Sequence, residues 1–104
     1  MQVLKLCFYV PESHLEVVKE AVFNAGAGRI ETYDQCCWQV KGQGQFRPLD
    51  GSNAFLGEVN KVEVVDEFRV EMLLDEHGKK QVTKALKEAH PYEVPAYDFV
   101  KIEM

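Results

Sequence analysis

The sequence is poor in positive charge and has no run of it. Lys and Arg number 12 against 17 Asp and Glu, a net charge of −5. An acidic chain without a basic stripe is a poor partner for nucleic acid or for anionic membrane, so neither is expected. Long hydrophobic runs are missing as well. Lys5 interrupts the N-terminal apolar stretch, and no other stretch approaches the length that spans a bilayer. That first stretch begins at Val3 with no basic segment before it and no small-residue cleavage site after it, so no secretion signal is expected. Cysteine is scarce: Cys7, Cys36 and Cys37 are an odd number, and two are adjacent. They do not form a disulfide framework, which points to a reduced, cytoplasmic compartment.

Catalytic and metal signatures are also absent. No Cys or His pair has the C-x-x-C or H-x-x-x-H spacing that marks a zinc site. A divalent metal, if held, would fall to Cys36, Cys37 and His90. Adjacent cysteines on a strand point to opposite faces, which suits a shared ion badly. A Cys36–His90 pair for thiol chemistry has no local support, since free cysteine commonly serves as a small core hydrophobe. Gly26-Ala27-Gly28 follows a helical pattern, whereas a phosphate loop precedes one; Gly42-Gln43-Gly44 leads to Phe46-Arg47-Pro48 and no helix. Both read as turn chemistry. The expectation is a protein that is not an enzyme.

What is present is a clear order of elements. Leu4, Leu6, Phe8 and Val10 alternate with Lys5, Cys7 and Tyr9, a period of two that predicts a strand over about 2–10, ended by Pro11. Ser13-His14-Leu15-Glu16 has capping-box spacing, and Leu15, Val18, Val22 and Ala25 then fall on one helical face. Gly26 and Gly28 supply the helix stop, with Gly28 needing positive φ. A second extended segment is predicted over about 29–41, clearest at Cys36, Trp38 and Val40. From Gly42 to Gly57 periodicity vanishes, which predicts a long connection of the kind that is functional or docked on something.

Alternation returns at Val62, Val64, Phe68, Val70, Met72 and Leu74, with Glu63, Glu67, Arg69 and Glu71 opposite. The run is long against a usual strand of about five or six residues. A bulge or a join between two strands near Val65-Asp66 is therefore expected. Val82, Ala85, Leu86 and Ala89 give a second helix, with His90 as its cap, and a closing strand is predicted from Val94 to Glu103. The stretch His90-Pro91-Tyr92-Glu93-Val94-Pro95-Ala96-Tyr97-Asp98 links these two. It concentrates one imidazole, two phenols and two carboxylates. Glu93 and Asp98, five residues apart on a strand, would face opposite ways and form no acid dyad.

Strand–helix–strand twice over predicts one α+β domain, 1–104. The economical form is a ferredoxin-like βαββαβ sandwich: a four-stranded antiparallel sheet with both helices on one face and a long β2–β3 connection. The sheet's other face would carry Val3, Lys5, Cys7 and Tyr9 beside Glu63, Glu67, Arg69 and Glu71. That mixture suits a subunit contact. Tyr9, with Phe46, Leu49, Phe55 and Leu56 from the long connection, are the candidate interface residues. Trp38, Arg47, His90, Tyr92, Glu93 and Tyr97 are the candidate ligand-binding residues; Trp38, Phe46 and Tyr97 would form an aromatic platform.

Gly26-x-Gly28 with Ile30, Tyr33-x-x-Cys36, Gly42-x-Gly44-x-Phe46-x-Pro48, Gly51, Gly57, Glu63, Glu67-x-Arg69 and His90-Pro91-Tyr92-Glu93 with Ala96-Tyr97-Asp98 together resemble one known domain. It is the inserted domain of the Nif-three-like (YqfO) family, similar in fold to the CutA divalent-cation-tolerance proteins and the PII signalling proteins. The resemblance runs through essentially the whole chain. It implies that the assembly is a homotrimer; the mixed open face and the apolar Gly42–Gly57 loop lead to the expectation of a non-enzymatic sensor or regulatory module, with a small molecule or ion held at clefts between subunits, where that loop of one meets Trp38, His90 or Tyr92 of the next. The alternative it implies is a CutA-like protein that binds a divalent metal. The family's dinuclear metal ligands lie on flanking domains and do not carry over. Arg29 and Glu31 stand where the family pattern leads one to expect histidine and glycine.

Overall fold

Alternation in the first strand becomes the centre of the molecule. In the computed structural model, which describes residues 2–104, β1 (Val3–Pro11) sends Leu4, Leu6, Phe8 and Val10 into the core. A single 3-10 turn at Glu12–His14 leads into α1 (Leu15–Asn24). Then come β2 (Trp38–Phe46), β3 (Glu63–Asp75), a second 3-10 turn, α2 (Lys79–Ala89) and β4 (Tyr97–Ile102). The strands form one antiparallel sheet in the order β2-β3-β1-β4. This is the expected ferredoxin-like arrangement. Val18 and Val22 of α1 and Val82 and Leu86 of α2 have no exposed surface, and they cover one sheet face with Val70, Met72 and Leu74. No helix among the described residues is long and apolar enough to cross a membrane.

The α1 exit is built as expected. The Gly26 amide bonds to the Phe23 carbonyl and the Ala27 amide to the Val22 carbonyl, the paired bonds of a Schellman motif. Gly26 has φ +113° and Gly28 φ +79°, and a side chain at Gly28 would meet the Phe23 ring at 2.8 Å and the Cys36 carbonyl at 3.0 Å. The α1 entrance differs from expectation. Its N-cap is His14, with no side-chain cap, because Ser13 lies inside the 3-10 turn and bonds to the His14 ring instead.

Three further expectations are corrected. β2 begins at Trp38 and runs to Phe46, so it absorbs Gly42-Gln43-Gly44-Gln45-Phe46, and the irregular connection is 47–62. Cys36 and Cys37 precede the strand. β3 has 13 residues and no break: its register with β2 is continuous from Glu63 to Glu71, and with β1 from Glu67 to Asp75. It is long because it serves two partners in succession. The segment Glu63–Asp66 pairs with β2 alone, so the hairpin projects beyond β1 and stretches the fold to 46 × 24 × 23 Å. β4 starts at Tyr97, three residues later than predicted, since Pro95 and the turn before it keep 91–95 out of the ladder, while the Ala96 carbonyl still accepts from the Tyr9 amide.

The uncovered sheet face carries the residues expected of it, joined by Trp38 and Val40 of β2 and Val100 of β4, all exposed. Cys7 lies on this face yet is only 5% exposed. Lys5, Glu71 and Arg69 stand around it, with Arg69–Glu71 at 2.9 Å and Lys5–Glu71 at 4.0 Å. Positive charge is less scattered than the sequence suggested. Lys79, Lys80, Lys84 and Lys87 all lie on α2, with Lys79 over the Phe99 ring at 5.2 Å and Lys87 over Tyr97 at 5.9 Å.

Candidate functional site

The segment after α2 is organised by His90. Its backbone caps α2, and its amide bonds to the Leu86 carbonyl at 2.9 Å. The residue is only 6% exposed. Nδ1 accepts from the Tyr92 amide at 3.1 Å, which assigns the proton to Nε2; that nitrogen donates to the Tyr9 carbonyl at 2.7 Å. A neutral imidazole thus ties β1 to the 91–96 segment. Burial pushes its pKa below the ordinary histidine value, against the opposing pull of the Tyr9 carbonyl and the Glu67 carboxylate, while His14 adds to the lowering.

Tyr92 extends this linkage. It packs against His90 at 4.9 Å between ring centroids, and its hydroxyl donates to Glu67 Oε2 at 2.8 Å. Burial, then the Glu67 acceptor and its charge, raise the Tyr92 phenol well above its ordinary pKa, so it remains a donor. Phe46 and Phe55 lie 6.2 Å and 6.3 Å from the Tyr92 ring, both tilted. The connection 47–62 reaches this place by folding back on its own chain. Pro48 accepts from the Asn60 amide at 2.7 Å, closing the loop base, and the Asn53 amide donates to Glu93 Oε2 at 2.8 Å. His14 meets Phe55 edge-on at 5.4 Å.

Together these groups enclose a cleft of about 610 Å³ between the end of β2, the loop and the 91–96 segment. Phe46, Arg47, Leu49, Phe55, Leu56, Tyr92, Glu93 and Tyr9, all expected at a site or interface, line it. The loop therefore meets Tyr92 within one subunit rather than only across a boundary. Trp38 is elsewhere, paired with Glu71 at the other end of β2. Tyr97 is also elsewhere: it packs with Phe99 on the helix side of the sheet, so Trp38, Phe46 and Tyr97 share no platform. His90 stands behind the cleft and holds Tyr92. Glu93 lies on the irregular segment, so the strand argument applied to it and Asp98 has no basis.

Glu67 and Gly44 were missed as site residues. One Glu67 oxygen lies where a Gly44 side chain would begin, so that glycine makes room for the carboxylate. The signal was available as a glycine near a glutamate in facing strands, but it needed the β2–β3 register to be known.

A metal does not fit the three donors named for it. Both His90 nitrogens are bonded to backbone, and no cluster of three His, Cys, Asp or Glu suited to an ion occurs among the described residues. The Cys36 amide bonds to Gly28, whose own amide bonds to Leu73. Leu73 lies four β3 residues from Arg69, the partner of Tyr9, roughly 13 Å along the sheet.

Comparison with known proteins adds kinship to this geometry. A Bacillus subtilis protein named GTP cyclohydrolase 1 type 2 homolog is 43% identical over 99 residues, 95% of this chain and 26% of that protein. The crystal structure of a Bacillus cereus protein related to NIF3 superposes with a TM-score of 0.85 at 34% identity, covering 99% of this chain and 26% of the other. The chain matches the CutA/PII-like domain of the NIF3-related proteins. This CutA/PII-like chain spans about a quarter of the length of the curated relatives it matches. Its fold is also that of the Archaeoglobus fulgidus periplasmic divalent cation tolerance protein CutA, with a TM-score of 0.69 at 16% identity over 98% of this chain and 85% of the other. B. subtilis GlnK shares it at 0.63 and 13% identity, over 98% and 86%. No family model matches.

Proposed function

We propose that this chain is a self-associating regulatory module that binds a small molecule without transforming it. The observation that carries this reading is the cleft of Phe46, Phe55 and Tyr92. Its volume of about 610 Å³ suits a small-molecule site, and its apolar walls surround a few converging polar groups, Arg47, Glu67 and Glu93. The shared fold with CutA and GlnK supports a regulatory rather than a reacting role. In NIF3-related proteins, where the domain is a minor part of the chain, it would serve the same purpose for the whole protein.

Self-association is supported by the uncovered sheet face, where Trp38 is 59% and Val100 54% exposed. The family resemblance makes the assembly a homotrimer; the unpaired cysteines favour the cytoplasm, and the acidic balance argues against a nucleic-acid or membrane partner. Two measurements test the proposal. A fragment library of mixed charge, screened by NMR, should shift the resonances of Phe46, Phe55 and Tyr92 selectively. Light scattering at micromolar concentration should give about three times the monomer mass. A library that leaves those resonances unmoved would end the binding reading, and a monomer would end the assembly.

A further inference from the structure

The cleft's walls and its charges agree on one kind of occupant. Phe46, Phe55 and Tyr92 converge with ring centroids 6.2 Å and 6.3 Å apart across the Tyr92 ring, and Tyr9 adds a fourth aromatic. Aromatic faces carry negative quadrupole density and attract cations. The acids point the same way. Glu67 is half-buried and receives one neutral donor, the Tyr92 hydroxyl; Glu93 receives one, the Asn53 amide. Among the described residues neither carboxylate has a Lys, Arg or His within ion-pair distance. Arg47 is the one cation of the lining; it is exposed and paired with neither.

A half-buried carboxylate against aromatic rings is left short of positive charge. Gly44 adds to the case, because its missing side chain is what admits the Glu67 carboxylate to this wall. A hard metal ion needs six or more oxygens and gains little from such rings. An anion meets two carboxylates, with the exposed Arg47 as the one cation of the lining. From these observations we infer that the cleft takes a small organic ammonium ion, a quaternary or methylated amine, with its charge over Phe46, Phe55 and Tyr92 and beside Glu67 and Glu93. This rests on the cleft being a binding site and names the class of its ligand.

Three probes of one shape separate charge from fit. They are choline, the alcohol in which a tert-butyl group replaces the trimethylammonium, and the tert-butylacetate anion. NMR titration of the full chain should show choline shifting Phe46, Phe55 and Tyr92, binding about tenfold or more tightly than the alcohol, with the anion inert. Glu67→Gln and Glu93→Gln should each weaken choline about fivefold or more, while Arg47→Gln should strengthen it. If Glu67→Gln disturbs the fold, Glu93→Gln on the exposed segment carries the test. Equal or tighter binding of the alcohol or the anion at the same resonances overturns the cation and leaves the binding site standing. Silence from all three overturns the cation as well; the mixed-charge library then decides whether the site survives.

Discussion

β1 and β2 are both nine residues long and both pair antiparallel with β3, yet they are held in place by different means. β1 is central. Its alternate side chains are buried, and a shift of one residue would turn Leu4, Leu6, Phe8 and Val10 to the other face, so the pattern pins the register. β2 is an edge strand. Trp38 and Val40 are exposed, and its helix-side positions are Gln39, Lys41, Gln43 and Gln45. Nothing in its own pattern selects a register. β3 and the groups beyond its end do so, as Gly44 makes room for Glu67 and Phe46 joins the rings around Tyr92. The strand that holds the fold is legible from its residues, and the strand that shapes the cleft is legible from its neighbours.

The sharpest contrast is between matched truncations. Phe8→Ala on β1 should cost about 3–5 kcal/mol in chemical denaturation, since Phe8 is fully buried. Val40→Ala on β2, 44% exposed, should cost under about 0.5 kcal/mol per subunit. A loss at Val40 approaching that at Phe8 would break the comparison, or would show Val40 buried in the assembly.

Between these extremes lies the α1 exit. Gly28→Val should cost about 2 kcal/mol, because it combines φ +79° with contacts below ordinary distance to Phe23 and to the Cys36 carbonyl. An unchanged melting curve would remove that assignment. The opposite sign is expected at Glu31, where the family pattern suggests glycine. Its φ is +52°, so Glu31→Gly should raise stability by up to about 1 kcal/mol. A loss there would mean that the Glu31 side chain makes a contact worth more than the strain.

The last prediction concerns the join between the two regions. His90 is neutral in the fold and its pKa is lowered, so the unfolded chain takes the proton first. Its contribution to stability is complete above the unfolded value of about 6.5. It falls as pH drops from there through the lower folded value, then levels off. Protonation also removes the Nδ1 acceptor of the Tyr92 amide, so Tyr92 resonances should change over the same range. His90→Gln should lack this part of the slope. A His90→Gln profile identical to wild type between neutral pH and pH ~5 would sink the assignment.

Local patterning determined the order of elements, the buried faces of β1 and of both helices, the glycine exit of α1 and the cap at His90. It did so because burial in those elements follows a period set by the backbone itself, near 2 in a strand and 3.6 in a helix. The resemblance carried by His90-Pro91-Tyr92-Glu93 and the glycine pattern added the family. Tertiary structure alone decided the limits of β2 and the continuity of β3. It also decided the burial of Cys7, the removal of Tyr97 and Trp38 from the site, and the meeting of Phe46, Phe55, Tyr92 and Glu67. Each of these depends on a partner far away in the chain. An edge strand and a long loop bury little of their own, so their positions follow from the groups that receive them.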